Sequence, residues 1–343
     1  MAKIKLEHAL MTEVEAREFI KGKAKRLGGR VMDPKAQIVA EFVQSIRVPG
    51  FFPPIEELRQ QLARAVQLLD EKAVLLARKE DIKIPCKGGN LSARVYSVEE
   101  NLSKLLPVLL YFHGGGWVQG DLDTHDGLCS RLALASGAMV VAFDYRLAPE
   151  NKFPAAVEDC FSCFQWLSVE GESIGADPHR VAVGGDSAGG NLAAVVSQLS
   201  GRTMGSNRPV FQLLLYPATD LEFKTKSHSE RKNDEFIPRD RMDWYLDQYL
   251  NKVEEKKDFR ASPALNPNLG GEPPSLIIVG GFDPLRDDAR LYAAKLSAAG
   301  VDVVFHEYPG QIHAFMTLTK AIPSGLDAIR ETADYMKRLF AIV

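Results

Sequence analysis

From about residue 80 onward, short apolar runs alternate with longer stretches of helical period. Segments 91–97, 108–112, 139–143, 181–183, 211–216, 276–279 and 303–306 read as strands. Several are unbroken runs of Val, Leu, Ile and Phe, the pattern of parallel strands covered on both faces. Segments 127–136, 155–167, 189–199, 287–299 and 326–340 read as helices. The alternation predicts βαβ units and an open, mostly parallel sheet.

Two stretches depart from it. Residues 1–78 are helical in character: Asp33-Pro34 reads as an N-cap followed by Pro at the first helical position, and 56–76 carries Leu58, Leu62, Val66, Leu69 and Val74 close to one stripe. A loop, Val48-Pro49-Gly50-Phe51-Phe52-Pro53-Pro54, lies between these helices. Residues 221 to about 260 are polar and charged, with Trp244, Tyr245 and Tyr249 on one helix. The expected organisation is a helical cap segment over 1–78 and an α/β domain over 79–343, with an insert at about 221–260 that joins the cap.

Composition narrows the class. The 343 residues give a prior of about two units, or one large α/β domain with an appendage. Apolar residues are 45% and charged residues 25%, far from disorder. A net charge of −3 and no basic stripe with interleaved aromatics argue against a nucleic-acid partner. Four cysteines are too few for a secreted disulfide framework, and Lys, Glu and Arg throughout the first thirty residues leave no apolar signal core. No apolar run approaches the ~20 residues of a membrane span. These features predict a soluble cytoplasmic protein without integral membrane association, and leave a peripheral membrane contact open.

The chemistry concentrates in four places. Gly185-Asp186-Ser187-Ala188-Gly189 follows the run Val181-Ala182-Val183 and precedes a helix, the strand–turn–helix context in which a serine hydroxyl projects above a sheet. The following helix aims its N-terminal N–H groups at the same spot. His113-Gly114-Gly115-Gly116-Trp117 follows the strand 108–112 and offers bare N–H donors near a ligand. It lacks the Gly-Lys-Ser/Thr ending of a phosphate loop. The two glycine segments together predict an acid and then a histidine on later strand-end loops. Asp283, after strand 276–279, and His313, after strand 303–306 and the turn Pro309-Gly310, fill those places. Asp287 and Asp288 compete with Asp283, but sit where helix N-terminal capping explains them.

Other histidines have milder readings. His306 lies within a strand, His113 braces the glycine loop through its ring, and His8, His125, His179 and His228 read as loop, turn or surface residues. Cys160 and Cys163 fall on one helix face and read as buried, apolar-like thiols. No cluster has metal-ligand spacing. Phe51 and Phe52 either line an acyl or alcohol pocket, as Trp117 is also expected to, or pin the cap to the body.

At this point the chain resembles the hormone-sensitive-lipase family of esterases, the bacterial family IV carboxylesterases of α/β-hydrolase fold. The residues that carry the likeness are His113-Gly114-Gly115-Gly116-Trp117, Asp144-Tyr145-Arg146-Leu147-Ala148-Pro149-Glu150, Gly185-Asp186-Ser187-Ala188-Gly189-Gly190-Asn191, Tyr216-Pro217, Asp283-Pro284-Leu285-Arg286-Asp287 and His313. The likeness is strong over about residues 80–320 and general before that. One departure is Asn151-Lys152, where relatives usually carry His-Pro.

The resemblance implies a mostly parallel eight-stranded sheet flanked by helices under a helical cap. It implies a triad of Ser187, Asp283 and His313, and an oxyanion hole from the N–H groups of Gly114, Gly115 and Ala188. It further implies a small-molecule ester of short to medium acyl length as substrate, no cofactor or metal, and a homodimer for which 326–340 would serve. It places Glu150 in a buried polar network near the site. An amidase or deacetylase with the same triad stays open as an alternative. A non-catalytic binding protein on this fold is a more distant one, since all three triad members stand.

Overall fold

The computed structural model describes residues 4–48, 50–100, 104–203 and 208–342. Pro49 of the aromatic loop and the first three residues of the N-terminal segment lie outside that description. Eight strands form one sheet: β1 (Arg78–Cys86), β2 (Gly89–Ser97), β3 (Leu106–Phe112), β4 (Met139–Phe143), β5 (Ala176–Asp186), β6 (Gln212–Leu215), β7 (Ser275–Gly280) and β8 (Val303–Tyr308). Their spatial order is β1-β2-β4-β3-β5-β6-β7-β8. β1 pairs antiparallel with β2 and β2 antiparallel with β4; the remaining pairs are parallel. The sheet is the eight-stranded, mostly parallel one that the resemblance implies. β1 was not among the strands read from the sequence. It is one of the two edge strands, and Arg78, Lys79, Glu80, Asp81 and Lys83 make it polar, as suits a solvated edge.

The longer helices are α1 (Pro34–Ile46), α2 (Ile55–Leu69), α3 (Asp126–Ser136), α4 (Ala155–Glu170), α5 (Ala188–Thr203), α6 (Arg239–Tyr249), α7 (Arg286–Ala298) and α8 (Ser324–Ile342). They cover both faces of the sheet. Alternate residues of β3 show why its sequence is continuously apolar. Val108, Leu110 and Phe112 pack into the core shared with α4, α5 and α7, and Leu109 and Tyr111 into the core shared with α1, α3 and α8. No helix among the described residues is long and apolar enough to cross a membrane.

Asp33 caps α1 as its sequence predicts, its carboxylate accepting from Lys35 N at 2.9 Å and Ala36 N at 3.0 Å. The helix expected over 56–76 ends at Leu69 instead. Asp70 turns extended there because its buried carboxylate accepts from Thr319 N at 2.8 Å and Thr319 Oγ1 at 2.6 Å, so Val74 falls outside the helix. α2 is also held over the glycine loop: Gln119 Nε2 donates to Leu58 O at 2.6 Å and Arg59 Nε to Val118 O at 2.9 Å. The N-terminal stretch meets the 221–260 insert through Lys25 and Glu235, 2.8 Å apart, and through Phe52, stacked on Trp244 with centroids 5.1 Å apart.

Candidate active site

The turn between β5 and α5 holds Ser187 at φ 55°, a left-handed conformation uncommon for a residue with a side chain. The neighbouring glycines make that turn possible. A Cβ on Gly189 would lie 1.9 Å from Phe112 O, and one on Gly185 would lie 2.4 Å from the same oxygen. Only bare backbone lets the elbow press against the end of β3. Ser187 N donates to Leu215 O at 2.8 Å, which ties the elbow to the neighbouring strand β6 as well.

His313 reaches that serine from the loop after β8. Its Nε2 lies 2.9 Å from Ser187 Oγ, and its Nδ1 lies 2.8 Å from Asp283 Oδ2. Asp283 is fully buried after β7, and its other oxygen accepts from Leu285 N at 2.8 Å. A carboxylate only accepts, so His313 Nδ1 carries the proton and Nε2 is left to face the hydroxyl. The two competing acids are occupied elsewhere: Asp287 accepts from Arg286 Nε at 2.8 Å, and Asp288 lies 2.5 Å from His228 Nε2. The ring edge of Tyr216 packs on the His313 imidazole, centroids 4.9 Å apart. Burial lowers the His313 pKa, but the Asp283 charge and hydrogen bond outweigh it and hold the imidazole above its ordinary value.

The glycine loop departs from one expectation. Gly114 N–H is not a free donor, because it is spent on Asp186 Oδ1 at 2.9 Å. Among the described residues, the N–H groups of Gly115, Gly116 and Ala188 have no such partner. Ala188 heads α5, where first-turn N–H groups are unpaired by construction. Gly115 stands at φ +116°, and its carbonyl accepts from both Val118 N (3.2 Å) and Gln119 N (3.0 Å).

Asp186 is the residue whose importance the sequence did not convey. Its buried carboxylate accepts from Gly114 N, from Tyr111 Oη at 2.8 Å, and lies 3.1 Å from His125 Nε2. It thereby joins the elbow to the glycine loop. Burial alone would raise Asp186, yet His125 and Tyr111 keep it below the usual carboxylate range. Burial lowers His125, and Asp186 more than restores it. The sequence signal was an Asp set between the apolar run Val181-Ala182-Val183 with its two glycines and the serine.

The whole site lies within the part of the chain, residues 109–317, that matches the family described as alpha/beta hydrolase fold. The chain belongs to that family. It is similar to the carboxylic ester hydrolase LipN of Mycobacterium tuberculosis, with 44% identity over 243 residues, 69% of this chain and 64% of that one. The chain thus spans a little under two thirds of that relative's length. The ethyl acetate hydrolase of Pseudomonas putida is 32% identical over 300 residues, 85% of this chain and 94% of that one. Among solved structures, an ester-hydrolase from the metagenome of Lake Arreo, complexed with a bipyridine phosphonate derivative, superposes with a TM-score of 0.85. It is 35% identical and covers 90% of this chain and 99% of its own.

In this α/β hydrolase a cavity of about 720 Å³ opens onto Ser187 and His313, walled largely by apolar side chains of α1, α2 and α6. Trp117 lines it, buried and stacked flat on Tyr249 at 4.4 Å. Phe51 lines it and is half exposed, whereas Phe52 does not line it and stacks on Trp244 under the Arg241 guanidinium. The adjacent phenylalanines therefore take one expected place each.

His113 braces the loop as expected, its Nδ1 2.8 Å from Gly114 O and its ring stacked on Tyr145 at 4.4 Å. Burial and the neighbouring His125 push it down to about 4, so it is neutral at pH 7. His125 sits in a turn as read, but buried and paired with Asp186; His228 is a correction, since it lies on a short helix, buried and paired with Asp288. Glu150 is another. It is exposed at the surface, where Arg59 Nη2 donates to it at 2.8 Å. Cys160 and Cys163 are free and buried, with thiols pushed well up by burial, as small apolar residues would be.

Proposed function

We propose that this α/β hydrolase is a carboxylesterase that cleaves short- to medium-chain acyl esters through Ser187, His313 and Asp283. What supports the reading above all is the unbroken chain of contacts from Asp283 through His313 to Ser187 at the floor of an apolar cavity. The esterase names of its relatives agree with it. The N-terminal helices and the insert act as the cap that restricts this cavity.

The reaction is acyl transfer to water in two steps. His313 Nε2 takes the proton of Ser187 Oγ as that oxygen attacks the ester carbonyl carbon. Asp283 keeps the imidazole in the needed tautomer and stabilises the imidazolium. Negative charge on the former carbonyl oxygen is received by Ala188 N–H, the first of α5, and by Gly115 and Gly116 N–H. Each such donor is worth about 10²–10³ in rate. His313 then returns the proton to the leaving alkoxide. Water attacks the acyl-enzyme with His313 again as base, and Ser187 is regenerated. Asp186 acts by position: it consumes Gly114 N–H and so turns the next two amides toward the serine.

The direct test is a series of 4-nitrophenyl esters of increasing acyl length. The expected result is a kcat/KM that peaks at short or medium acyl chains. A profile that keeps rising through palmitate would contradict the reading.

Acidity supplies a second check. The base must be neutral, so kcat/KM falls as pH drops through the His313 pKa. Asp283 raises that pKa, and the midpoint of the acid limb is therefore expected above the ordinary imidazole value of about 6.5. A flat acid limb, or a midpoint well below that value, would remove His313 from the role.

A further inference from the structure

The mouth of the cavity carries an exposed apolar rim. Ile46, Val48, Phe51 and Leu68 line the cavity and are 62%, 61%, 55% and 44% exposed, which sets them at its opening rather than in its wall. They come from the end of α1, the loop after it and the last turn of α2. A single exposed apolar side chain needs no explanation, but four gathered at one opening do.

Three arginines line the same cavity: Arg64, which is exposed, and Arg47 and Arg241, which are partly buried. Among the described residues none of them has a carboxylate within the 4.0 Å of an ion pair. Arg47 donates only to backbone carbonyls, Glu235 O at 3.3 Å and Phe236 O at 2.5 Å. Arg241 lies over the Phe52 ring, 5.1 Å from its centroid. Several other arginines, Arg94, Arg146, Arg231 and Arg286, are each paired with carboxylates. Apart from the buried Asp186, the cavity has one acidic lining residue, Glu57, which accepts from Gln61 at 3.1 Å. The rim is thus positive on a chain whose net charge is −3.

We propose that this mouth docks on an anionic lipid surface. Ile46, Val48, Phe51 and Leu68 enter the headgroup region, Arg64 and Arg241 meet the lipid phosphates, and Arg47, held on the carbonyls of Glu235 and Phe236, adds positive charge behind them. Apolar side chains at the interface and a basic flank are the two signals that together hold a protein on a membrane surface without a spanning helix. The exposed Arg64 guanidinium, left without a carboxylate, takes phosphate oxygens two at a time. Charge complementarity selects this occupant over a neutral one. On the esterase reading, docking delivers substrate to Ser187 from the bilayer; the docking itself does not depend on turnover.

The test is co-sedimentation of the full chain with phosphatidylcholine vesicles and with vesicles of equal parts phosphatidylcholine and phosphatidylserine. The expected result is binding to the mixed vesicles only, weakened by high salt. Arg64→Gln and Arg241→Gln should each reduce partitioning about five-fold, and Val48→Ser with Phe51→Ser about ten-fold or more. Circular dichroism melts check folding. Should the double variant melt early, Arg64→Gln decides alone, since that side chain is exposed. No binding to the mixed vesicles, or binding that the rim substitutions leave unchanged, would overturn the proposal. So would a wild-type dimer that the rim substitutions dissociate, since a second copy would then cover the mouth. Hydrolysis of a soluble ester, measured separately, tells failure of the docking from failure of the esterase reading.

Discussion

Ser187→Ala is expected to fold as the parent chain does and to lose ester hydrolysis by about 10⁴–10⁶-fold. Among the described residues the hydroxyl has a single hydrogen-bonding contact, His313 Nε2 at 2.9 Å, so its removal leaves no network of buried groups unsatisfied. What is lost is the nucleophile and, with it, the covalent step. His313→Ala should cost a similar amount, and the double variant no more than the worse single one, because base and nucleophile act as one unit. The residual rate of all three should match, carried by the N–H donors and by binding alone. Initial rates on 4-nitrophenyl acetate, with thermal melts alongside, measure this. An additive double variant would mean that His313 works on something other than Ser187.

Asp283→Asn is expected to lower kcat by about 10⁴-fold while leaving the backbone in place. The geometry gives the reason. Asp283 accepts through both oxygens, from Leu285 N at 2.8 Å and from His313 Nδ1 at 2.8 Å. An amide has one accepting oxygen. If that oxygen keeps Leu285 N–H, the NH₂ faces Nδ1 and drives the imidazole proton to Nε2, where it blocks the attack on the Ser187 proton. If the amide turns over, NH₂ meets Leu285 N–H and a buried donor is left without a partner. The same variant should move the acid limb of the pH profile downward, since the carboxylate is what outweighs burial at His313. Rates across pH for both proteins check the sign. A variant within ten-fold of the parent would hand the role to another acid, yet Asp287 and Asp288 are already engaged by Arg286 and His228.

Much of this was legible along the chain because the signals are local. Continuous apolar strands, a serine between glycines at a strand–helix junction and an acid and a histidine after later strands each declare themselves within a few residues. What was not legible depended on contacts across the fold. That Gly114 N–H is spent follows only from Asp186 lying 72 residues away in sequence, across β3 and β5. β1 was hidden by its own charges, since an edge strand with a wet face breaks the apolar run that marked the others. α2 stops at Leu69 because Thr319 captures Asp70, a partner that no helical period reveals. The loop, turn or surface reading of His125 and His228 misses their burial because a lone histidine in a polar stretch carries no sign of the carboxylate it will meet.

Ser187 is proposed as the attacking group, and the whole reaction depends on it. Incubation with a serine-directed aryl phosphonate, followed by peptide mass spectrometry, tests it most directly. The expected result is one phosphonyl adduct per chain, on the peptide containing Ser187, formed in step with the loss of ester hydrolysis and absent from Ser187→Ala. Full inactivation with the adduct on a different residue, or an adduct that persists in Ser187→Ala, would contradict it.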